Sequence, residues 1–537
     1  MDIYILILNL LLYLLWATAD NTNSLPIVDL GYIIQQATLN LDEELYNFSN
    51  IQYATAPLFA APQNITTIHR CINSGQVQGI CPQSTPWWQV LGSDPHIFNT
   101  VSAHVDPRTV QECLTLDVIV PTNVWNRHDF KGKYYVPVLV WIHGGGYVSG
   151  DKNSAGNPNN LINQSVTNSS SGIVFVSLNY RLGMFGWLSG PKFQSEGGIS
   201  NIGLRDQRAG LEWVKRYIHL FGGDAGRITV MGESAGAGSI MHHLIAEGGK
   251  LKAPFSQAII QSPALAPVPS TEVQDYNFDM VLKWASILTT SQLSTLEDLK
   301  NVPFTTLLQI NQVTTAPSYW GSMTWGPTVD GRYVPKMPGV LFQQGHFDHS
   351  IKVVTGHNSH EGRSFGSPLV TDESQYLQYL RELLPSASAD IINYLDNHLY
   401  SQRSNWSNDP NRNERDRLIN TITDYFFICN NRYIDTAYQD IGSWGYYFDV
   451  PPGVHAQDLA YTFYNPGADS KINVTIARQM QSYFANFIQT GDPNAPGLPT
   501  LVSYREGSML RSLHANALVK DTAATDRCAW WQQALYA

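Results

Sequence analysis

The run Arg227-Ile228-Thr229-Val230-Met231 enters Gly232-Glu233-Ser234-Ala235-Gly236 without a break, and the small residues Ala237-Gly238-Ser239 follow at once. A G-x-S-x-G string alone is weak evidence, since a chain of this length yields roughly 0.2 matches by chance. The setting is what constrains the fold. A strand that stops at a glycine-flanked serine and gives way directly to a helix forms a sharp turn, which lifts the serine hydroxyl clear of a sheet. The glycines keep side chains out of that turn, and the helix N-terminus aims partial positive charge at a developing oxyanion. An ordinary Gly-rich strand-to-helix turn is the bland alternative. A second match, centred on Ser364, lies in a loop beyond the strand-like run 351–355 and is soon followed by Pro368. It has neither strand nor helix around it and reads as accidental.

Strand-like and helix-like stretches alternate along the rest of the chain. Strands are expected at 134–142, 173–178, 227–231, 351–355 and 446–450, each short, rich in β-branched or aromatic residues and closed by Gly or Pro. Leu204, Leu211, Val214 and Ile218 recur at helical spacing through 201–219, with Gly222-Gly223 closing the segment. A late amphipathic helix is expected over 476–489, and 271–300 and 371–440 read as insertions of mixed helix and loop. This alternation predicts an α/β fold, a large and mostly parallel central sheet with helices on both faces. No internal repeat is visible, which disfavours solenoids and propellers.

Residues 3–16 are apolar except for Asn9, and Ala17-Thr18-Ala19 is an A-x-A cleavage site, so 1–19 reads as a signal peptide. The stretch is shorter than the roughly 20 residues a spanning helix needs. No Pro/Ser-rich linker or charge run divides the remainder, so 20–537 is expected to be one large domain. Five cysteines behind a signal peptide imply an oxidising compartment, with two disulfides and one leftover thiol. Sequons at Asn47, Asn64, Asn163, Asn168, Asn405 and Asn473 fit the same compartment. The expected location is extracellular, with no stable membrane anchor. A net charge of −11 argues against nucleic acid and anionic membrane as partners.

His143-Gly144-Gly145-Gly146-Tyr147 follows the 134–142 run. A serine elbow needs further N–H donors from a loop after an earlier strand, and glycines let that backbone approach closely. A plain Gly-rich β-turn is the alternative.

With these pieces in place the chain resembles the type-B carboxylesterase/lipase family of cholinesterase-like α/β-hydrolases, in particular its secreted fungal members. Beyond the two glycine motifs, the matching segments are Glu112-Cys113-Leu114-Thr115-Leu116-Asp117-Val118, Asn179-Tyr180-Arg181, Leu204-Arg205-Asp206-Gln207-Arg208 and Phe221-Gly222-Gly223-Asp224. Later come Gly326-Pro327-Thr328-Val329-Asp330-Gly331, Gly356-His357-Asn358-Ser359-His360-Glu361-Gly362 and Gly453-Val454-His455-Ala456-Gln457-Asp458-Leu459. They span nearly the whole chain in order.

The resemblance implies Ser234 as nucleophile, Glu361 as acid and His455 as base, in the chain order that α/β-hydrolases require. It implies oxyanion donors at Gly145, Gly146 and Ala235, and disulfides Cys81–Cys113 and Cys429–Cys528, with Cys71 unpaired. Without it, His242 and His243 beside the elbow compete among 15 histidines, although their place on a helix suits packing better. Glu233 reads as an electrostatic or structural neighbour of the nucleophile. The loop between Cys81 and Cys113, with Trp87, Trp88, Leu91 and Phe98, matches a family segment that overhangs the active site; a plain packed loop is the alternative. Trp320 and Trp325 are candidates for the acyl side. Ala225 and Ala456 depart from the family's usual Pro and Gly without removing a functional group.

The implied activity is hydrolysis of small-molecule or lipid carboxylic esters through an acyl-enzyme. A lipase acting on long-chain acylglycerols or sterol esters is the alternative, and a non-catalytic adhesion domain a remoter one. No cofactor and no metal are expected, since His357-Asn358-Ser359-His360-Glu361 lacks the H-E-x-x-H order of a zinc helix.

Overall fold

The computed structural model describes residues 25–93, 105–127, 134–167, 170–265, 270–401, 413–467 and 470–537. Its centre is an 11-stranded sheet. In chain order the strands are β1 (Thr38–Asn40), β2 (Leu45–Gln52), β3 (Thr115–Pro121), β4 (Val136–Ile142), β5 (Val174–Leu178) and β6 (Gly223–Glu233). They continue as β7 (Gln257–Gln261), β8 (Lys352–Asn358), β9 (Ser443–Phe448), β10 (Met509–Ser512) and β11 (Leu518–Lys520). Across the sheet the order is β11-β10-β9-β8-β7-β6-β4-β5-β3-β2-β1. From β5 to β10 neighbouring strands are parallel; β3, β2 and β1 at one edge and β11 at the other run antiparallel.

The burial of these strands explains their sequences. Every residue of β4, β5 and β7 is buried, as expected of parallel strands covered on both faces. Alternate residues serve opposite faces. Val138, Val140 and Ile142 enter one core with Leu204, Leu211 and Val214 of α1 (Ile202–Tyr217) and Ala237, Ile240 and Met241 of α2 (Ala235–Leu244). Leu139 and Trp141 enter the other, with Met231 and Ile259. At the edge, all of β1 is exposed, and it is short and polar, which blunts pairing with other chains.

The remaining helices named here are α3 (Thr271–Thr289), α4 (Phe304–Thr315), α5 (Cys429–Tyr438) and α6 (Val474–Thr490), whose Met480, Phe484 and Phe487 cover the second face. Two expectations shift. The strand expected at 446–450 runs from Ser443 to Phe448, because it pairs in register with β8 and that partner ends at Asn358. The expected insertion 371–440 ends in a layer helix: α5 packs on the sheet, where Thr355 Oγ1 donates to the Asp435 carboxylate at 2.8 Å.

Several family motifs serve this scaffold. Arg181 grips Asp206 of α1 through Nε (2.7 Å) and a second guanidinium nitrogen (2.6 Å), both groups buried. Asn201 Nδ2 donates to Asp330 at 2.9 Å, tying the Gly326–Gly331 turn to the start of α1. Cys81–Cys113 and Cys429–Cys528 are disulfides and Cys71 is an exposed thiol. Asn64, Asn163 and Asn473 are exposed, whereas Asn47 is half-buried within β2. Asn168, Asn405, Phe98 and the expected signal peptide 1–19 lie outside the described residues, as does the side chain of Leu91. Among the described residues no helix is long and apolar enough to cross a membrane.

Candidate active site

The C-terminal ends of the parallel strands gather along one rim of the sheet, where the sites of open α/β folds form. Here β6 ends at Glu233 and α2 begins at Ala235, so Ser234 alone makes the turn, with φ 56° and ψ −122°. That backbone region is sparsely populated for an L-residue and costs about 1–3 kcal/mol. Neighbouring segments hold it in place: the Ser234 N–H donates to Gln261 O, and its carbonyl accepts from Ala264 N, each at 3.0 Å. The flanking glycine is required by contact, since a Cβ on Gly236 would lie 2.1 Å from Ile142 O.

His455 arrives on the loop after β9. Its Nε2 lies 2.9 Å from Ser234 Oγ and its Nδ1 2.6 Å from Glu361 Oε2. Glu361 stands just past β8, fully buried, and its other oxygen accepts from Ser262 Oγ and the Asn358 N–H, each at 2.6 Å. Burial opposes its charge, but His455 and these donors outweigh it and hold the carboxyl below its ordinary value. An ionised carboxylate only accepts, so in the neutral imidazole Nδ1 carries the proton and Nε2 is left to accept from Ser234. The two loops are joined directly, the His360 N–H donating to Gly453 O at 2.7 Å. Phe427 and Phe365 pack on the imidazole, with ring centroids 4.4 and 5.2 Å away.

A second carboxylate faces the same ring. Glu233 Oε1 lies 3.3 Å from His455 Nε2, is buried and accepts no hydrogen bond among the described residues. Burial, reinforced by Asp458 and Glu361 and opposed by His455, drives Glu233 up to about 8. For His455 burial disfavours the cation, but Glu233 and Glu361 overcome it and raise the imidazole to about 9. Both groups are displaced upward, so the cluster keeps its protons to higher pH than an isolated carboxylate and imidazole would.

The sharp turn after β4 completes the site. Gly145 and Gly146 take φ values of 103° and 61°. Gly145 O accepts from Val148 N, Ser149 N and Ser149 Oγ, while His143 stacks on Tyr180 at 4.4 Å. Neither Gly145 nor Gly146 donates its N–H to an acceptor among the described residues, and Ala235, first in α2, has an N–H without an intrahelical partner. Gly145, Gly146, Ser234, Phe427 and His455 line one cavity of about 210 Å³. The arrangement places a hydroxyl, a base with an anionic partner, and a set of backbone donors around one small space.

Ser364 is exposed in a turn after Glu361. His242 and His243 are buried within α2, the first bonded to Gly238 O and the second held between Tyr333 and Gln207. Burial lowers them to about 4 and 3. Trp88 is buried, donates Nε1 to Ser322 O and packs near Trp320, while Trp325 lines a neighbouring cavity. Residues that sequence reasoning did not single out include Ser262, Asn358 as a donor, Phe427 and Met323. Ser262 follows β7 as Ser234 follows β6, which is the one local signal it carries.

This sheet, with its helical layers and rim site, is the α/β-hydrolase fold. The crystal structure of Aspergillus niger EstA matches it with a TM-score of 0.78 at 24% identity, over 95% of this chain and 98% of that one. Residues 34–531 match the Carboxylesterase family, and the chain belongs to that family. It is 37% identical to carboxylesterase patB of Penicillium expansum over 564 residues, covering 97% of this chain and 98% of that protein. It is also 30% identical to a secreted lipase of Arthroderma benhamiae over 395 residues, 72% of each. The protein is a carboxylic-ester hydrolase.

Proposed function

We propose that this chain is a secreted serine esterase that cleaves carboxylic esters through an acyl-enzyme on Ser234. The observation that carries the reading is the continuous hydrogen-bond line from Ser234 Oγ through His455 to Glu361. Ser234 Oγ attacks the ester carbon as its proton passes to His455 Nε2, and the carbonyl oxygen becomes an oxyanion. Gly145, Gly146 and Ala235 N–H groups receive that charge, each worth roughly 3–4 kcal/mol in comparable sites. His455 then protonates the leaving alkoxide, which departs as the alcohol. Water, deprotonated by the same nitrogen, attacks the acyl-enzyme and releases the acid. Glu361 keeps the imidazole in the useful tautomer and stabilises its cation. Residues 20–537 act as one catalytic domain. Export after residue 19 is supported by the N-terminal apolar stretch and by the two disulfides, which suit an oxidising compartment.

Burst kinetics with p-nitrophenyl esters test the acyl-enzyme. Ser234→Ala is expected to remove the burst and lower kcat by about six orders of magnitude; turnover unchanged in that variant overturns the proposal. A lipase reading is favoured by the secreted-lipase relatives. A rate that jumps once substrate exceeds its solubility would select it, and smooth saturation selects the esterase.

A further inference from the structure

A separate cavity of about 380 Å³ lies between α1 and the loop that follows β2, and no group of the proposed mechanism lines it. Its floor is aromatic. Trp213 and Tyr217 of α1 pack with ring centroids 5.3 Å apart, and Tyr32 meets Tyr217 edge-on at 6.1 Å. Trp213 Nε1 donates to Tyr32 Oη at 2.9 Å, and Tyr32 Oη donates to Gln52 O at 2.7 Å, so the polar ends of these two rings are already satisfied. Gln63, Glu212 and Arg216 are exposed on the rim. An apolar floor with a few polar groups above it is the usual make-up of a small-molecule site, and the volume falls in the usual range of about 300–1,000 Å³.

Asn64 lines the same cavity, and Asn64-Ile65-Thr66 is a sequon. Backbone bonds on both sides set its place. The Thr55 N–H donates to Gln63 O at 2.9 Å, the Gln63 N–H donates to Thr55 O at 3.1 Å, and the His69 N–H donates to Tyr32 O at 2.7 Å. The Asn64 side chain is exposed and forms no hydrogen bond among the described residues. The other described sequons differ. Asn47 is half-buried in β2, Asn163 Nδ2 donates to Glu43 at 2.9 Å, Asn473 Oδ1 caps α6, and none of them lines this cavity.

We propose that Asn64 carries an N-linked glycan whose inner N-acetylglucosamine rings lie in this cavity and clamp the 53–69 loop to α1. The inference rests on the export proposed above, because this modification belongs to secreted chains. In the transfer, Asn64 Nδ2 gains a bond to C1 of N-acetylglucosamine and loses a proton. The bond from C1 to the oxygen of a lipid-pyrophosphate donor breaks, and the lipid pyrophosphate leaves. A hexosamine ring offers a C–H face to the aromatic floor, and hydroxyl and acetamide groups to Gln63, Glu212 and Arg216. A free sugar would need high affinity of its own. One tethered at the rim has an effective concentration of about millimolar or more, which makes this chain's own glycan the occupant.

The test uses the full chain secreted by a glycosylating eukaryotic host, with mass spectrometry of the Asn64 peptide and native release of its glycan by peptide N-glycosidase. The glycosidase acts on the unseated glycan, so one seated about nine-tenths of the time is released about tenfold more slowly. Ala209→Trp fills the cavity from α1, and Tyr217→Ala removes part of its floor. Each is expected to speed release about tenfold, while ester turnover, which uses neither residue, stays at the wild-type rate and reports the fold. Thr66→Ala removes the sequon and keeps Asn64; it is expected to speed amide exchange across 60–68 about tenfold. Release as fast in wild type as in the folded variants overturns the seat, and so does exchange that Thr66→Ala leaves unchanged. An exported chain bare at Asn64 overturns the glycan and leaves the export standing, whereas a chain retained in the cell sinks both.

Discussion

Two buried carboxylates flank His455, and their surroundings drive them in opposite directions. Glu361 meets the imidazole at Nδ1 with one oxygen and receives Ser262 and Asn358 on the other. Glu233 faces Nε2 at 3.3 Å, and its Oε1 has no donor among the described residues. Full donor satisfaction keeps Glu361 anionic despite complete burial, and its absence leaves Glu233 up to about 8. Position relative to the reacting atoms follows the same division. Glu361 lies behind the imidazole, where in the proposed mechanism a fixed negative charge supports the cation formed during proton transfer. Glu233 lies on the reacting side, where an anion would oppose the oxyanion, and burial disfavours its charge there.

Of the two carboxyls, the anionic one gives the larger expected effect when it is removed. Glu361→Gln keeps size and burial but replaces an acceptor-only oxygen pair with an amide. The imidazole cation then loses its support and the tautomer is no longer enforced, so kcat is expected to fall by about three to four orders of magnitude with little change in KM. Steady-state kinetics on a soluble ester check this. A loss below tenfold would mean that Glu361 merely fills space.

Glu233→Gln is the smaller and more discriminating change. The base must be neutral to work, so kcat/KM rises with pH through the His455 value, and the upward displacement to about 9 places that rise above the ordinary imidazole value. Taking away the neighbouring carboxyl lowers His455, so the rise is expected to move to lower pH, with the plateau changed by no more than about tenfold. Stability gives a second readout. A carboxyl held at about 8 when folded binds more protons than the unfolded chain between its ordinary value of 4.5 and 8. Its contribution is therefore present below the lower value and lost as pH rises through that window. In Glu233→Gln the decline of stability with pH across that window is expected to flatten. Identical pH profiles for wild type and variant would show that the two carboxyls do not differ in charge.

The comparison also shows what a sequence exposes. The elbow was legible because strand, turn and helix are consecutive, and β4 and β5 because buried parallel strands read as nearly continuous apolar runs. His455 and Glu361 carry no local signal of that strength, and family resemblance selected them among many histidines and acids. Ser262 stayed hidden because β7 begins and ends in glutamine, which weakens the strand signal that would have flagged the residue after it. Phe427 and Met323 come from segments far from Ser234 along the chain, so only tertiary structure brings them to the site.

Ala456, where the family often has glycine, offers the finest test of how the imidazole is kept between the two acids. It follows His455 directly and sits at φ 65°, the left-handed region that a Cβ disfavours by about 1–2 kcal/mol. Glycine removes that cost while adding freedom to the unfolded chain, so Ala456→Gly is expected to stabilise the fold by about 1 kcal/mol or less. In a chain of this size that is a rise in Tm of about 1–2 °C. The neighbouring bonds, Gly453 N to Gln457 Oε1 and His360 N to Gly453 O, each at 2.7 Å, still anchor the loop. The imidazole is therefore expected to stay in place and kcat/KM to change by less than about twofold. Calorimetry and kinetics on one preparation decide the matter. A rise in Tm together with a tenfold loss of kcat/KM would show that the strained backbone at Ala456, and not the hydrogen bonds around it, aims His455 at Ser234.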